Sequence, residues 1–266
     1  MKTKQILAAV GLISGVMGSH SALAGTIDVT YAGSSNFGSG AVGYNSGSIA
    51  PSPSGTGLAG VLIGGDSFTT ANHTYDFSAT GQFNTWCVDI YHWLVGGNVT
   101  YTVATGAELA TSLSALRPGT PDGAMRVSQL GQLANQVYSL VDTKDESAAF
   151  QLAVWAITYG ELDGGRYVIN TANGGFRVGA GTASSTYGVL ANTWLQNLGT
   201  TGYTGNYKLT YLNDGTVNNT QDMVVFTVAP PPNFSTTVPE PATLALFGLG
   251  LAGLGFSRRK FANQAR

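Results

Sequence analysis

Basic charge is scarce where it would matter most. Half of the twelve Lys and Arg residues fall in the first four and last nine positions of the 266. Between Gly25 and Val238, six basic residues face thirteen acidic ones, a formal charge of −7 against −2 for the whole chain. Without a basic patch, nucleic acid is excluded as an expected partner. Cysteine is almost absent: Cys87 stands alone, so no internal disulfide can form. Beyond the first 24 residues the only histidines are His73 and His92. With one Cys and scattered acids, no metal-ligand spacing appears, and neither metal nor cofactor is expected. No G-x-S-x-G is present. Gly38 to Gly43 matches G-x-G-x-x-G but sits in a Gly/Ser-rich stretch with no apolar helix behind it, unlike a dinucleotide site. No catalytic constellation remains, so the chain is not expected to be an enzyme. Long apolar runs are missing too: Ile6–Val16 and Ala242–Phe256 both fall short of the ~20 residues of a full membrane span.

What is present begins at the two ends. Lys2 and Lys4 precede the apolar Ile6–Val16, and Ala22-Leu23-Ala24 offers a small-x-small cleavage site at Ala22 and Ala24 before Gly25. This is the pattern of a secretory signal peptide over 1–24, and it predicts export. At the other end, Ala229-Pro230-Pro231-Pro232 begins a stiff linker over 230–238. Pro239-Glu240-Pro241 follows, then fifteen residues from Ala242 to Phe256, then Arg258-Arg259-Lys260. As a helix those fifteen residues reach about 22 Å against a hydrocarbon core of roughly 30 Å. Such a segment pauses in a membrane but anchors poorly, and the basic cluster stays cytoplasmic. The two prolines keep the preceding backbone extended, as a protease site requires.

The order Pro-Glu-Pro, short apolar helix, basic cluster over 239–260 resembles the PEP-CTERM sorting signal of Gram-negative bacteria that make extracellular polysaccharide. The resemblance implies a C-terminal transmembrane sorting helix, transient inner-membrane anchoring, and processing by an exosortase-type enzyme. It also implies a final place at the cell surface or in the extracellular matrix, with polysaccharide as a candidate partner.

Residues 25–229 are expected to form the exported α+β domain, a β-rich sandwich or barrel-like unit with an inserted pair of helices. Thr26–Tyr31, Gly60–Ile63, Tyr207–Tyr211 and Met223–Val228 read as strands between turn signals. Alternation from Phe83 puts Thr85, Cys87, Asp89 and Tyr91 on one face and Trp86, Val88 and Ile90 on the other. Gly96-Gly97-Asn98 predicts a hairpin into Val99–Val103. Val127, Leu130, Leu133, Ala134, Val137, Leu140 and Val141 recur at helical spacing. Thr143-x-x-Glu146 is a capping box opening a second helix that stops at Gly160. A further short helix is expected around Leu190–Leu198.

An unpaired cysteine in an exported chain calls for a reason. The plain one is an inert buried thiol among Trp86, Val88 and Ile90. Another lies in the pair Trp86-Cys87-Val88 and Phe150-Gln151-Leu152-Ala153-Val154-Trp155. Over residues 83–161 these motifs resemble a thioester domain, in which such a Cys and Gln are joined side chain to side chain. The resemblance implies a Cys87–Gln151 cross-link that an amine on a partner surface can open, with Trp86, Phe150, Trp155 and Tyr159 as the apolar wall that keeps water out. Two functions stay open: a covalent adhesin, or a non-covalent structural or glycan-associated matrix protein with Cys87 in its core.

Overall fold

The computed structural model describes residues 25–229 apart from 35, 38–39, 42–43, 51–57, 72–74, 76, 170, 172–174, 200–205 and 216–218. The expected signal peptide over 1–24, the linker over 230–238 and the sorting segment over 239–260 with its transmembrane helix lie outside the described residues. Among the described residues no helix is long and apolar enough to cross a membrane.

The chain opens with β1 (Gly25–Ser34), in which Ile27 and Val29 are buried while Asp28 and Thr30 face solvent. Two short hairpins follow, β2 (Asn36–Phe37) with β3 (Gly40–Ala41), and β4 (Asn45–Ala50) with β5 (Leu58–Ile63). Next come β6 (Asp66–Thr69), β7 (Gln82–Cys87) and β8 (Asn98–Ala104). The expected β7–β8 hairpin is not formed. β7 pairs with β6, while β8 pairs with β1 over six residue pairs from Gly25↔Val103 to Thr30↔Asn98. The strand ends at Cys87 because Asp89 organises a loop: its carboxylate accepts the Tyr91 N–H (2.9 Å) and meets His92 Nδ1 (2.5 Å). Asp89 and Tyr91 therefore leave the strand face predicted for them.

All helices described lie between β8 and β12. They are α1 (Gly106–Leu116), α2 (Gly123–Val137), α3 (Lys144–Tyr159), α4 (Ala180–Ala183) and α5 (Thr186–Gln196). The short strands β9 (Leu162–Asp163), β10 (Arg166–Tyr167) and β11 (Arg177–Val178) are interspersed after α3. The insertion is thus larger than the expected pair. α1 escapes the periodicity because it buries only Leu109 and Leu113, a stripe one residue wide. α3 begins at the expected capping box, with both the Thr143 and Glu146 side chains engaged, and ends at Gly160. Its last carbonyls are held by the buried Arg126 of α2, which donates to Ile157 (2.5 Å), Thr158 (3.3 Å) and Gly160 (3.0 Å).

β12 (Tyr207–Asn213) and β13 (Met223–Val228) return to close a barrel in the order β1-β6-β7-β13-β12-β8. The two-residue period of the strands divides the core. Ile27, Val29, Phe68, Phe83, Tyr101, Met223 and Val225 fill the barrel. Trp86, Val224 and Phe226 face outward into a second cluster with Phe150 and the other helix residues. One barrel wall is therefore covered by helices, with α3 across the end of β7.

Candidate functional site

The site forms where β7 loses its β6 neighbour, while on its other edge Cys87 still pairs with Met223 of β13. The β7 ladder with β6 ends at the Asp66↔Thr85 pair, and beyond it Gln151 of α3 takes over as partner to Cys87. The Cys87 N–H donates to Gln151 Oε1 (3.0 Å), and Gln151 Nε2 donates to the Cys87 carbonyl (2.8 Å). The carboxamide thus lies along the Cys87 peptide as a neighbouring strand would, and both groups are buried. This satisfies two backbone groups that would otherwise be buried without partners.

Gln151 belongs to a stripe on α3 with a four-residue repeat. Ser147 Oγ accepts the Gly65 N–H (3.0 Å), just before β6. Trp155 lies beside Cys87, and the Tyr159 hydroxyl donates to the Val88 carbonyl (2.7 Å). Side chains four apart share a helix face, so one face of α3 holds the backbone around the barrel end at several points. The stripe was readable as a recurrence, although only Gln151, Trp155 and Tyr159 were singled out from sequence. Trp86 and Phe150 face the other way. Their rings lie 4.6 Å apart and join Tyr138 and Phe226 in the helix-side core.

The Cys87 thiol donates to the Asp89 carbonyl (3.0 Å). Burial pushes its pKa well up, with the Asp89 charge adding to the effect. The Trp155 indole N–H, buried beside the sulfur, acts in the opposite direction, favouring the thiolate. At rest the sulfur is therefore a protonated thiol, and a group that takes its proton is needed before it can act as a nucleophile.

Cys87 and Trp155 line a cleft of about 360 Å³ at this end of the barrel. Its mouth carries Leu62 and Trp93, 60% and 61% exposed, together with His92. Its floor holds Asp66, which is only 6% exposed and accepts a hydrogen bond from the Tyr44 hydroxyl. The Tyr44 and Tyr31 hydroxyls are 2.9 Å apart. Burial pushes the Asp66 carboxyl up to about 7, and the Tyr44 hydrogen bond offsets only part of that effect. The Tyr44 hydroxyl is pushed upward by its own burial and by the Asp66 charge. Sequence reasoning missed Asp66 and Tyr44, since neither sits in a motif: the β6–β7 register carries Asp66 to Cys87, and Tyr44 joins from the residue before β4. Among the described residues no cluster of His, Cys, Asp and Glu could hold a metal ion.

Against known proteins, residues 237–260 match the PEP-CTERM protein-sorting motif. That motif marks a chain routed to the cell surface through membrane-associated processing by an exosortase-type enzyme. Among solved structures, the N-terminal thioester domain of fibronectin-binding protein SfbI from Streptococcus pyogenes is similar. It shares 10% identity and a TM-score of 0.40, with 62% of this chain and 87% of that chain covered. A likeness that loose carries nothing across to the site. No curated protein matches the chain.

Proposed function

We propose that the exported domain is a covalent surface adhesin in which Cys87 and Gln151 close an internal thioester. The observation that carries this is the two-point hold of the Gln151 carboxamide on the peptide of Cys87 itself. It fixes the Gln151 carbonyl carbon beside the one residue whose sulfur can attack it. The Cys87 N–H already points at Gln151 Oε1, where negative charge develops in the tetrahedral intermediate.

In the first step the sulfur–carbon bond forms and the carbon–nitrogen bond of Gln151 breaks. The thiol proton leaves with the amide nitrogen as ammonia. In the second, a primary amine such as a Lys side chain on a partner attacks the thioester carbonyl. An amide joins Gln151 to the partner, and Cys87 recovers its thiol. Each molecule reacts once, so the protein is a reagent rather than an enzyme. The apolar segment 242–256 would hold the chain in the membrane until the sorting motif is processed, leaving the domain outside to meet its partner. The competing reading, a non-covalent matrix protein, is favoured by the burial of Cys87 and its bond to the Asp89 carbonyl.

Intact mass of the exported protein separates the two. The thioester lowers the mass by one ammonia and leaves no titratable thiol, and Cys87→Ala or Gln151→Ala abolishes the deficit. A full-mass protein with one free thiol defeats the adhesin reading.

A further inference from the structure

The thioester reading leaves one requirement unmet. The Cys87 thiol is buried and protonated, and both steps move protons at the sulfur and at a nitrogen. A group in the same cleft has to take and return them.

The strand register points to that group. Asp66 is directly opposite Thr85 on the neighbouring strand, and directly opposed residues share a face of the sheet. Cys87 is two residues beyond Thr85 and returns to that same face. Asp66 and Cys87 are therefore diagonal neighbours, both lining the cleft at this end of the barrel. A diagonal pair of this kind is about 7 Å apart between backbones, within reach of side chains directly or through one water molecule. The Asp66 carboxyl is anchored by the Tyr44 hydroxyl, and Tyr31 continues the chain of hydroxyls. Tyr31 is partly exposed, so the chain leads from a buried carboxyl towards solvent.

We propose that Asp66, held by Tyr44, is the acid–base group of the Cys87–Gln151 site. The proposal rests on the thioester reading. As the thioester closes, the Asp66 carboxylate takes the proton from the Cys87 sulfur and returns it to the departing nitrogen of Gln151, which leaves as ammonia. During capture, Asp66 takes a proton from the attacking amine nitrogen as the new carbon–nitrogen bond forms. It then gives a proton to the Cys87 sulfur as the carbon–sulfur bond breaks. When the amine arrives as an ammonium ion, the surplus proton leaves through Tyr44 and Tyr31. Asp66 ends each step in the state in which it began.

The titratable groups sharing the cleft with Asp66 are Tyr31, Tyr44, Cys87, Tyr91 and His92. Tyr44 and Cys87 are both pushed upward and stay uncharged through neutral pH. His92 is the rival, since it shares the cleft and pairs with Asp89.

The test is single-turnover capture of methoxyamine by the exported full chain, followed by intact mass from about pH 6 to about pH 9. Methoxyamine stays uncharged over this range, so any pH dependence belongs to the protein. The wild type is expected to show a rate that rises to a plateau with its midpoint near the Asp66 value of about 7. Asp66→Asn is expected to lower the plateau about a hundredfold and to lose the midpoint. A folded Asp66→Asn protein that never closes the thioester supports the same role at the earlier step. Tyr44→Phe removes a hydrogen bond that favours the carboxylate, so its midpoint should move upward, which keeps the proposal testable if Asp66→Asn fails to fold. His92→Gln should leave the midpoint in place. A wild type that carries the thioester while Asp66→Asn captures at an unchanged rate overturns the role of Asp66 alone. A midpoint that follows His92, or one that Tyr44→Phe does not move, does the same. A wild type of full mass with a free thiol overturns both proposals.

Discussion

Replacing Asp66 with Asn should stabilise the protein, by an amount set by pH. Asp66 is buried on the cleft floor, and its carboxyl is pushed from the ordinary 3.8 up to about 7, chiefly by loss of solvent. A carboxyl raised in this way holds its proton more tightly in the folded chain than in the unfolded one. Its contribution to stability is fully present below about pH 4 and is lost as pH rises through about 7, where the folded carboxyl must ionise too. The displacement is worth about 4 kcal/mol between those limits. Asn has no proton to lose, yet it keeps an oxygen to accept the Tyr44 hydroxyl. The variant should match the wild type near pH 4 and exceed it by about 4 kcal/mol near pH 8. Tyr44 and Cys87 are both pushed upward, so neither titrates in this window. Groups elsewhere are common to both proteins and cancel. Urea unfolding of both proteins at the two pH values reads the difference, with Cys87→Ala as background so that acyl chemistry cannot interfere. An equal difference at both pH values, or a variant less stable than wild type near pH 8, would refute this account of the cleft floor.

Two substitutions probe how α3 is held. Arg126→Met strips the carbonyls of Ile157, Thr158 and Gly160 of a buried charged donor and also loses the bond to Pro121 (3.0 Å). It should cost about 3 kcal/mol or more in urea unfolding, and a loss below about 1 kcal/mol would contradict the capping role. Thr143→Ala removes the first half of the α3 capping box. It should cost about 1 kcal/mol, with Thr143→Ser close to neutral, and a lower melting temperature for Ala but not for Ser is the signature.

Most of the elements near the site were legible locally. The Thr143–Glu146 box and Gly160 bounded α3 because helix ends must satisfy their free backbone groups, and those residues do so over a few positions. The alternation of β7 and the turn signals around β13 marked those strands, and the pair Cys87 and Gln151 stood out through residue type and neighbours. α1 went unseen because its buried stripe is too thin to register, although Thr105 and Glu108 form a capping box of their own. The partner of β7 was misread because Gly96-Gly97 suggested a turn, whereas register along the barrel is decided by pairing with strands far along the chain.

By itself, the sequence determined the sorting motif over residues 237–260, the acidic character between residues 25 and 238, the elements on either side of the site, and the oddness of one thiol. These are local or compositional properties, and no folding is needed to read them. The tertiary structure alone decided what surrounds that thiol. Closing the barrel sets β6 beside β7, and ending their ladder at Thr85 leaves the Cys87 peptide for Gln151 to occupy. The same closure puts Asp66, 21 positions away, in the cleft with Cys87, and Tyr44, 43 positions away, reaches it from just before β4. No periodicity encodes such distances, because they are fixed by strand register and by the packing of one helix face over the end of a strand.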